Sequence, residues 1–409
     1  MGTVPKQKII SDNENITNRA NLRAEPKATD GNLRQSTGEL PLNISGSQAL
    51  DSAAASSDNV SYYYGEKMSV IRLISMLFIV WAHCLLGWEN VRFVQPGFQF
   101  LQALILETGK LGTISFFVIS GYFLSDRLYK YNVPGYLKHR FFTLILPWII
   151  FLFLYVFIEL FEVYPIKLIF SWNIGYTIHL SMVLARSFIF YSAYWFLPMS
   201  LLSIVVLIIC RNYVKKLWFI ALLIVMTLFY CVNLYYKWVP ANHTKSVMGY
   251  TFFIWLGVAV KNNEIKIRDY LARISWNMII PLLFVLLCIA CYEAMGLMKR
   301  DSGDPFSTIR FSNIIVSILL FFALLKTERL NWLNFLNPRT YVFGIYLTHC
   351  IVFSQLRIII NHLVPNQIDI NHIGISLLLQ LAFFLIVFAT TYFIVYLIKH
   401  SPVKAIVGI

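Results

Sequence analysis

Arg72 and His83 stand in the apolar run IRLISMLFIVWAH, residues 71–83. A guanidinium holds anions by charge-assisted hydrogen bonds, and an imidazole is the side chain best matched to moving protons at neutral pH. The two residues are eleven positions apart, and eleven helical steps return to within about 20° of the starting face, so they share one stripe roughly 16 Å apart along the axis. Taken singly, an arginine at a helix end snorkels and a histidine in an apolar helix bonds a neighbouring helix. The shared stripe is what favours a joint role. Three further polar side chains lie in apolar runs. Glu107 and Lys110 are three apart and pair on one helical face, which offsets their burial, unless one of them faces a cavity, where Glu107 would polarise His83 or a substrate hydroxyl. His349 is a second intramembrane imidazole that orients a substrate or bonds a neighbouring helix.

The elements that must hold these residues are membrane helices. The chain of 409 residues is 58% hydrophobic and only 13% charged, which excludes a soluble globular protein. The fold class expected is an all-α polytopic membrane protein, with about ten transmembrane helices and a disordered N-terminal tail. Each span is judged against the roughly 20 apolar residues that cross a bilayer. The spans fall near 68–88, 99–124, 141–161, 193–210, 217–236, 247–260, 277–297, 312–325, 340–360 and 373–398. Those at 247–260 and 312–325 are short, and 166–190 has room for a re-entrant or interfacial helix, so nine or eleven crossings also fit. Residues 1–65 are rich in Asn, Ser, Ala, Gly and Asp, lack an apolar run, and read as a disordered cytoplasmic tail. They contain no signal-peptide core and no myristoylation pattern, and the N-x-S/T triplets at Asn15, Asn43 and Asn59 read as chance. Residues 66–400 form the membrane domain and 401–409 a short cytoplasmic C-terminal tail.

The formal net charge is +14, but the basic residues sit between apolar runs and form no stripe for nucleic acid. With the tail inside, the inner segments 125–140, 211–216, 261–276, 326–340 and 399–409 hold twice as many Lys and Arg as the outer loops. That bias places both termini in the cytoplasm and the chain in the plasma or inner cell membrane. All six cysteines lie in or at the end of apolar runs, and the C-x-x-C pair Cys288 and Cys291 lacks the further ligands a zinc site needs. No H-E-x-x-H, G-x-x-x-x-G-K-S/T or G-x-S-x-G occurs, so zinc protease, nucleotide hydrolase and serine hydrolase readings lack support, and no metal is implied.

Taken in order, several segments resemble the acyltransferase-3 family of integral-membrane acyltransferases. They are Arg72-x10-His83, GTISFFVISGYFL at 112–124, YLKHRFFTLILPW at 136–148, YWFL at 194–197 and GIYLTH at 344–349. The resemblance covers about residues 66–400. One departure is that the family's inner loop carries two arginines three apart before the proline, whereas here Arg140 is followed by Thr143.

The resemblance implies an O-acetyltransferase-like enzyme moving an acyl group, usually acetyl, from a cytoplasmic acyl-CoA to a hydroxyl of a cell-surface polysaccharide or another envelope glycan. Its expected partners are the bilayer, acetyl-CoA or another acyl-CoA as donor, a glycan or lipid-linked sugar acceptor, and envelope-biosynthesis proteins. On that reading His83 is the general base, and Arg72, Lys138 and Arg140 hold the donor phosphates with the thioester near His83. Ser120, Gly121 and Tyr122 either pack helices closely or line the donor channel. Trp195, beside Tyr194, belongs to an aromatic belt or stacks on a sugar. A multi-span transporter of a small solute, an O-succinyltransferase of the same family, and a scaffold that binds without turnover are the alternatives. No similarity between the two halves of the chain supports transport.

Overall fold

The computed structural model describes residues 46–89, 91, 93–163, 174–240, 244, 246–364, 368 and 372–407. The tail up to residue 45, with Asn15 and Asn43, and the start of the 166–190 segment lie outside them. The chain divides into two units, Met1–Ser56 and Ser57–Ile409; the architecture below is that of the second. The first helix, α1, runs Gly46–His83 and so begins within the segment read as tail; its residues from Ser57 on belong to the second unit. Among the described residues there are no strands. The later helices are α2 (Pro96–Ser125), α3 (Val133–Arg140), α4 (Leu146–Val163), α5 (Ile174–Tyr191), α6 (Phe196–Ile209) and α7 (Leu217–Tyr236). They continue with α8 (Val247–Asn262), α9 (Glu264–Arg273), α10 (Trp276–Lys299), α11 (Phe311–Lys326), α12 (Pro338–Leu363) and α13 (Ile373–Lys399).

Local chemistry sets many of these boundaries. α2 and α12 open on Pro96 and Pro338, where a missing N–H costs nothing in the first turn. α3 is capped by Asn132, whose side chain accepts from the Gly135 N–H at 2.9 Å. Pro147 cannot donate to the carbonyl four residues back, and the preceding turn, Phe141–Ile145, is a π-helix in which the Leu146 N–H reaches Phe141 O.

Six helical stretches are long and apolar enough to span a bilayer: Pro96–Ser125, Val133–Glu162, Leu217–Tyr236, Trp276–Lys299, Pro338–Leu363 and Ile373–Lys399. Two bent pairs raise the number to eight among the described residues: Gly175–Tyr191 with Ala193–Ile209, at 78°, and Phe311–Lys326 with Leu330–Leu336, at 91°. Fewer than the expected ten stretches are individually this long and apolar among the described residues, for identifiable reasons. α1 ends at His83, so a membrane-length stretch of it must include Glu66, Lys67 and Arg72. α8 has only 16 residues, about 24 Å of helix. The run at 193–210 is continued by α5 across a sharp bend, which gives the 166–190 segment its bent helix.

α2 is the central post. A Cβ at Gly112 would collide with Ser75 O of α1, and Cβ atoms at Gly121 and Gly257 would collide with the backbones of α8 and α2 in turn. Without a hydrophobic force between helices in lipid, such close approach supplies the dispersion energy of association. Gly121→Val is expected to destabilise the protein by about 1–3 kcal/mol, because backbone cannot give way as a side chain can. A lower melting temperature in detergent, with unaltered membrane insertion, is the readout.

Candidate active site: an arginine-lined cavity beside two histidines

One end of the helix assembly contains a cavity of about 690 Å³. α1 contributes Ser69 and Arg72, α2 contributes Phe116 and Ser120, and Arg127 follows α2 directly; Arg140 closes α3, while Arg339 and Tyr346 come from α12. Arg72 stacks its guanidinium 5.4 Å from the Phe116 ring centroid, and Arg140 lies 5.7 Å from that of Tyr136. Arg72 and Arg140 are close enough to repel each other. Arg140 Nε and Arg127 Nη1 are buried donors with no hydrogen-bond partner. A buried, unsatisfied charged donor costs more than about 1–3 kcal/mol, a cost that an anionic ligand bound there would remove.

Beyond the cavity wall lies an imidazole pair. Tyr346 lines the cavity, its ring centroid is 6.4 Å from that of His349, and the His349 ring is 5.7 Å from the His83 ring. His349 is fully buried. Its Nδ1 meets two carbonyl oxygens of its own helix, Ile345 O at 3.0 Å and Tyr346 O at 2.9 Å. Carbonyls only accept, so Nδ1 carries the hydrogen and Nε2 is the accepting nitrogen, to which the Cys350 thiol donates at 3.3 Å. These three hydrogen-bond partners of His349, Ile345, Tyr346 and Cys350, lie on its own helix. His83 is the last residue of α1. The chain just after it is pinned by Gln380 of α13, whose amide donates to Cys84 O at 2.8 Å and accepts from the Leu86 N–H at 3.0 Å. This buried glutamine carries no motif in the sequence, since its partners lie about 300 positions away.

The other candidates divide clearly. Ser120 lines the cavity and returns its hydroxyl to Phe116 O at 2.8 Å. Gly121 is spent on the α2–α8 contact. Tyr122 donates to Glu264 at 2.6 Å, and Lys261 bridges to the same carboxylate at 3.1 Å, so this tyrosine ties α2 to α8 and α9. Lys138 is exposed and is not among the cavity's lining residues. Trp195 and Tyr194 are buried, unlike a lipid-facing belt: the Trp195 ring is 5.2 Å from Tyr250 and 6.1 Å from Phe117, and the Tyr194 hydroxyl donates to Leu347 O at 2.6 Å. Glu107 pairs with Arg310 and not with Lys110; both partners of the pair are fully buried. Arg310 also donates to Ala290 O at 3.1 Å. All six cysteines are free, and among the described residues no cluster of three or more His, Cys, Asp or Glu could hold a metal.

Arg127 and Arg339 are cavity residues that the sequence motifs do not single out. Their one signal is that they sit in the two Lys/Arg-rich segments 125–140 and 326–340. They supply guanidinium charge that the single arginine of the YLKHR segment lacks.

Among the described residues, an all-helical assembly with membrane-length apolar helices thus holds a cationic cavity next to paired imidazoles. The family model for the acyltransferase domain of the acyltransferase-3 family matches residues 66–400, most of the chain, and the protein belongs to that family of membrane acyltransferases. No curated protein and no solved structure matches it at a significant level.

Proposed function

We propose that this acyltransferase moves an acyl group, acetyl in the first instance, from acyl-CoA bound in the arginine-lined cavity to a hydroxyl of an envelope glycan. The observation that carries the reading is the cavity itself: four arginines converge on it and Arg140 Nε lies in it buried and unpartnered. Coenzyme A is polyanionic at its nucleotide end, and guanidinium groups hold phosphates by paired, charge-assisted hydrogen bonds. Arg72 and Arg140 bind the diphosphate, and the pantetheine arm runs past Tyr346 toward the imidazole pair. His83 takes the proton from the acceptor hydroxyl as its oxygen attacks the thioester carbonyl carbon. The tetrahedral intermediate then collapses, the carbon–sulfur bond breaks, and the coenzyme thiolate leaves with a proton returned from the imidazolium. His349, with its hydrogen fixed on Nδ1, orients the substrate through Nε2 when the substrate displaces the weak Cys350 thiol donor there.

Residues of 125–140 and 326–340 line the cavity, and both segments belong to the Lys/Arg-rich set. By the positive-inside bias the donor enters from the cytoplasm, where both termini and the 1–65 tail reside, and the protein sits in the plasma or inner membrane. Trp195, buried and wedged between α2 and α8, supports the cavity region and does not stack on a sugar. Mass spectrometry of envelope glycans from cells with and without the protein tests the reading. A mass increment found only with the protein establishes transfer and names the acyl group, acetyl or succinyl, by its size; identical glycans would refute a glycan acceptor. Arg72→Ala is expected to weaken coenzyme A binding by about tenfold to a hundredfold, the worth of a charged hydrogen bond, measured by calorimetric titration.

A further inference from the structure

The cavity holds more cationic groups than one diphosphate requires, and they lie at two depths. Among the described residues none of Arg72, Arg127, Arg140 and Arg339 makes an ion pair. Glu66 and Asp126 also line the cavity, but both are exposed and pair with none of the four. Arg72 and Arg140 form the inner set, with Arg72 lying over Phe116. Phe116 lies nine positions before Ser125, where α2 ends, roughly 14 Å of helix, and Arg127 follows that end, on the side of the cavity away from Phe116 and Arg72, which we call its mouth. Arg339 is an exposed residue in the first turn of α12, next to the cavity-lining Asn337. Arg127 Nη1 is buried without a partner although its side chain is at the mouth. A donor group kept out of water and unsatisfied there points to an occupant that completes it.

We propose that Arg127 and Arg339 form an outer anion station that receives a phosphate monoester separate from the diphosphate held by Arg72 and Arg140. This rests on the acyl-CoA reading of the cavity. The chemistry it selects is a donor carrying two spaced phosphate groups, which in coenzyme A are the diphosphate and the ribose 3′-phosphate. A donor with only the diphosphate, or a phosphopantetheine with its single phosphate, leaves the outer arginines unmatched. The station therefore sets donor specificity and takes no part in the chemical step.

The test uses the full chain in phosphatidylcholine nanodiscs, titrated with coenzyme A and with 3′-dephospho-coenzyme A, so no acceptor is needed. Wild type is expected to bind coenzyme A at least about tenfold more tightly, the lower worth of a charged hydrogen bond. Arg127→Gln and Arg339→Gln are each expected to bind coenzyme A as weakly as wild type binds the dephospho form, so that the discrimination disappears. Equal wild-type affinity for the two ligands would overturn the outer station while leaving the donor site standing. Binding of neither would overturn both. The titrations are repeated in discs containing phosphatidylglycerol, because a lipid headgroup presents the same phosphate chemistry. Equal affinity in phosphatidylcholine, with coenzyme A binding weakened only by the anionic lipid and only while Arg127 and Arg339 are intact, would assign the station to lipid and overturn the proposal. The wild-type comparison needs no variant to fold.

Discussion

The His83→Ala protein, purified and supplied with acyl-CoA and acceptor, is expected to transfer acyl groups about 10²- to 10⁴-fold more slowly than wild type, the usual worth of a positioned general base. Its coenzyme A affinity should change little. The separation follows from placement: Arg72 and the other arginines line the cavity, whereas His83 is not among its lining residues and lies 5.7 Å, ring to ring, from His349, which in turn is 6.4 Å from the cavity-lining Tyr346. Removing the imidazole takes away a proton acceptor and leaves the anion-binding groups intact. His83 also closes α1 beside the Gln380 clamp, so a purely structural role makes a different forecast. In that case His83→Ala and Gln380→Ala would lower the melting temperature together, and transfer would fall in proportion to folded protein. Retained stability with lost transfer supports the base assignment; normal transfer by His83→Ala would remove it. His83→Gln, which fills the volume and can still hydrogen-bond but cannot take the proton, is expected to be as slow as the alanine variant.

The stripe joining Arg72 to His83 was legible because it depends only on helical periodicity, which a local run of residues determines. The structure keeps Arg72 at the cavity and His83 at the helix end. What periodicity cannot supply is the identity of partners across helices. His349 meets His83 from 266 positions away in the chain, and the sequence presented it as a lone imidazole. Arg127 and Arg339 belong to different connecting segments, and only folding brings their guanidinium groups to one cavity. Span boundaries have a similar limit. Hydropathy detects the apolar run at 193–210, but not the 78° bend that joins it to the helix before it. The aromatic pair Tyr194 and Trp195 occupies that bend, which is why it is buried in the protein and not placed at a lipid interface.

The pairing of Glu107 shows the same limit with the larger energetic consequence. Three-residue spacing nominates Lys110, yet the carboxylate meets Arg310 from the start of α11, a partner 203 positions away. Both side chains are fully buried. Truncating one member of such a pair leaves the other as an uncompensated buried charge, and Glu107→Ala is expected to cost about 3–5 kcal/mol. Lys110→Ala should cost far less, since it leaves the Glu107–Arg310 pair intact; an i,i+3 pair is worth only about 0.2–0.5 kcal/mol in an isolated helix. Thermal unfolding in detergent compares the two directly, and a larger effect from Lys110→Ala would refute the assignment. The double variant Glu107→Leu with Arg310→Met is expected to recover most of the lost stability, because replacing both members removes the buried charges together. That recovery also bears on function. If Glu107 serves only to fasten α2 to α11, the stabilised double variant transfers acyl groups at close to the wild-type rate. If the carboxylate polarises His83, stability returns and transfer does not. The geometry favours the first outcome, since the Glu107 oxygen that is bonded faces α11 and the small side of α2 at Gly109 is what lies against Ala82, the neighbour of His83.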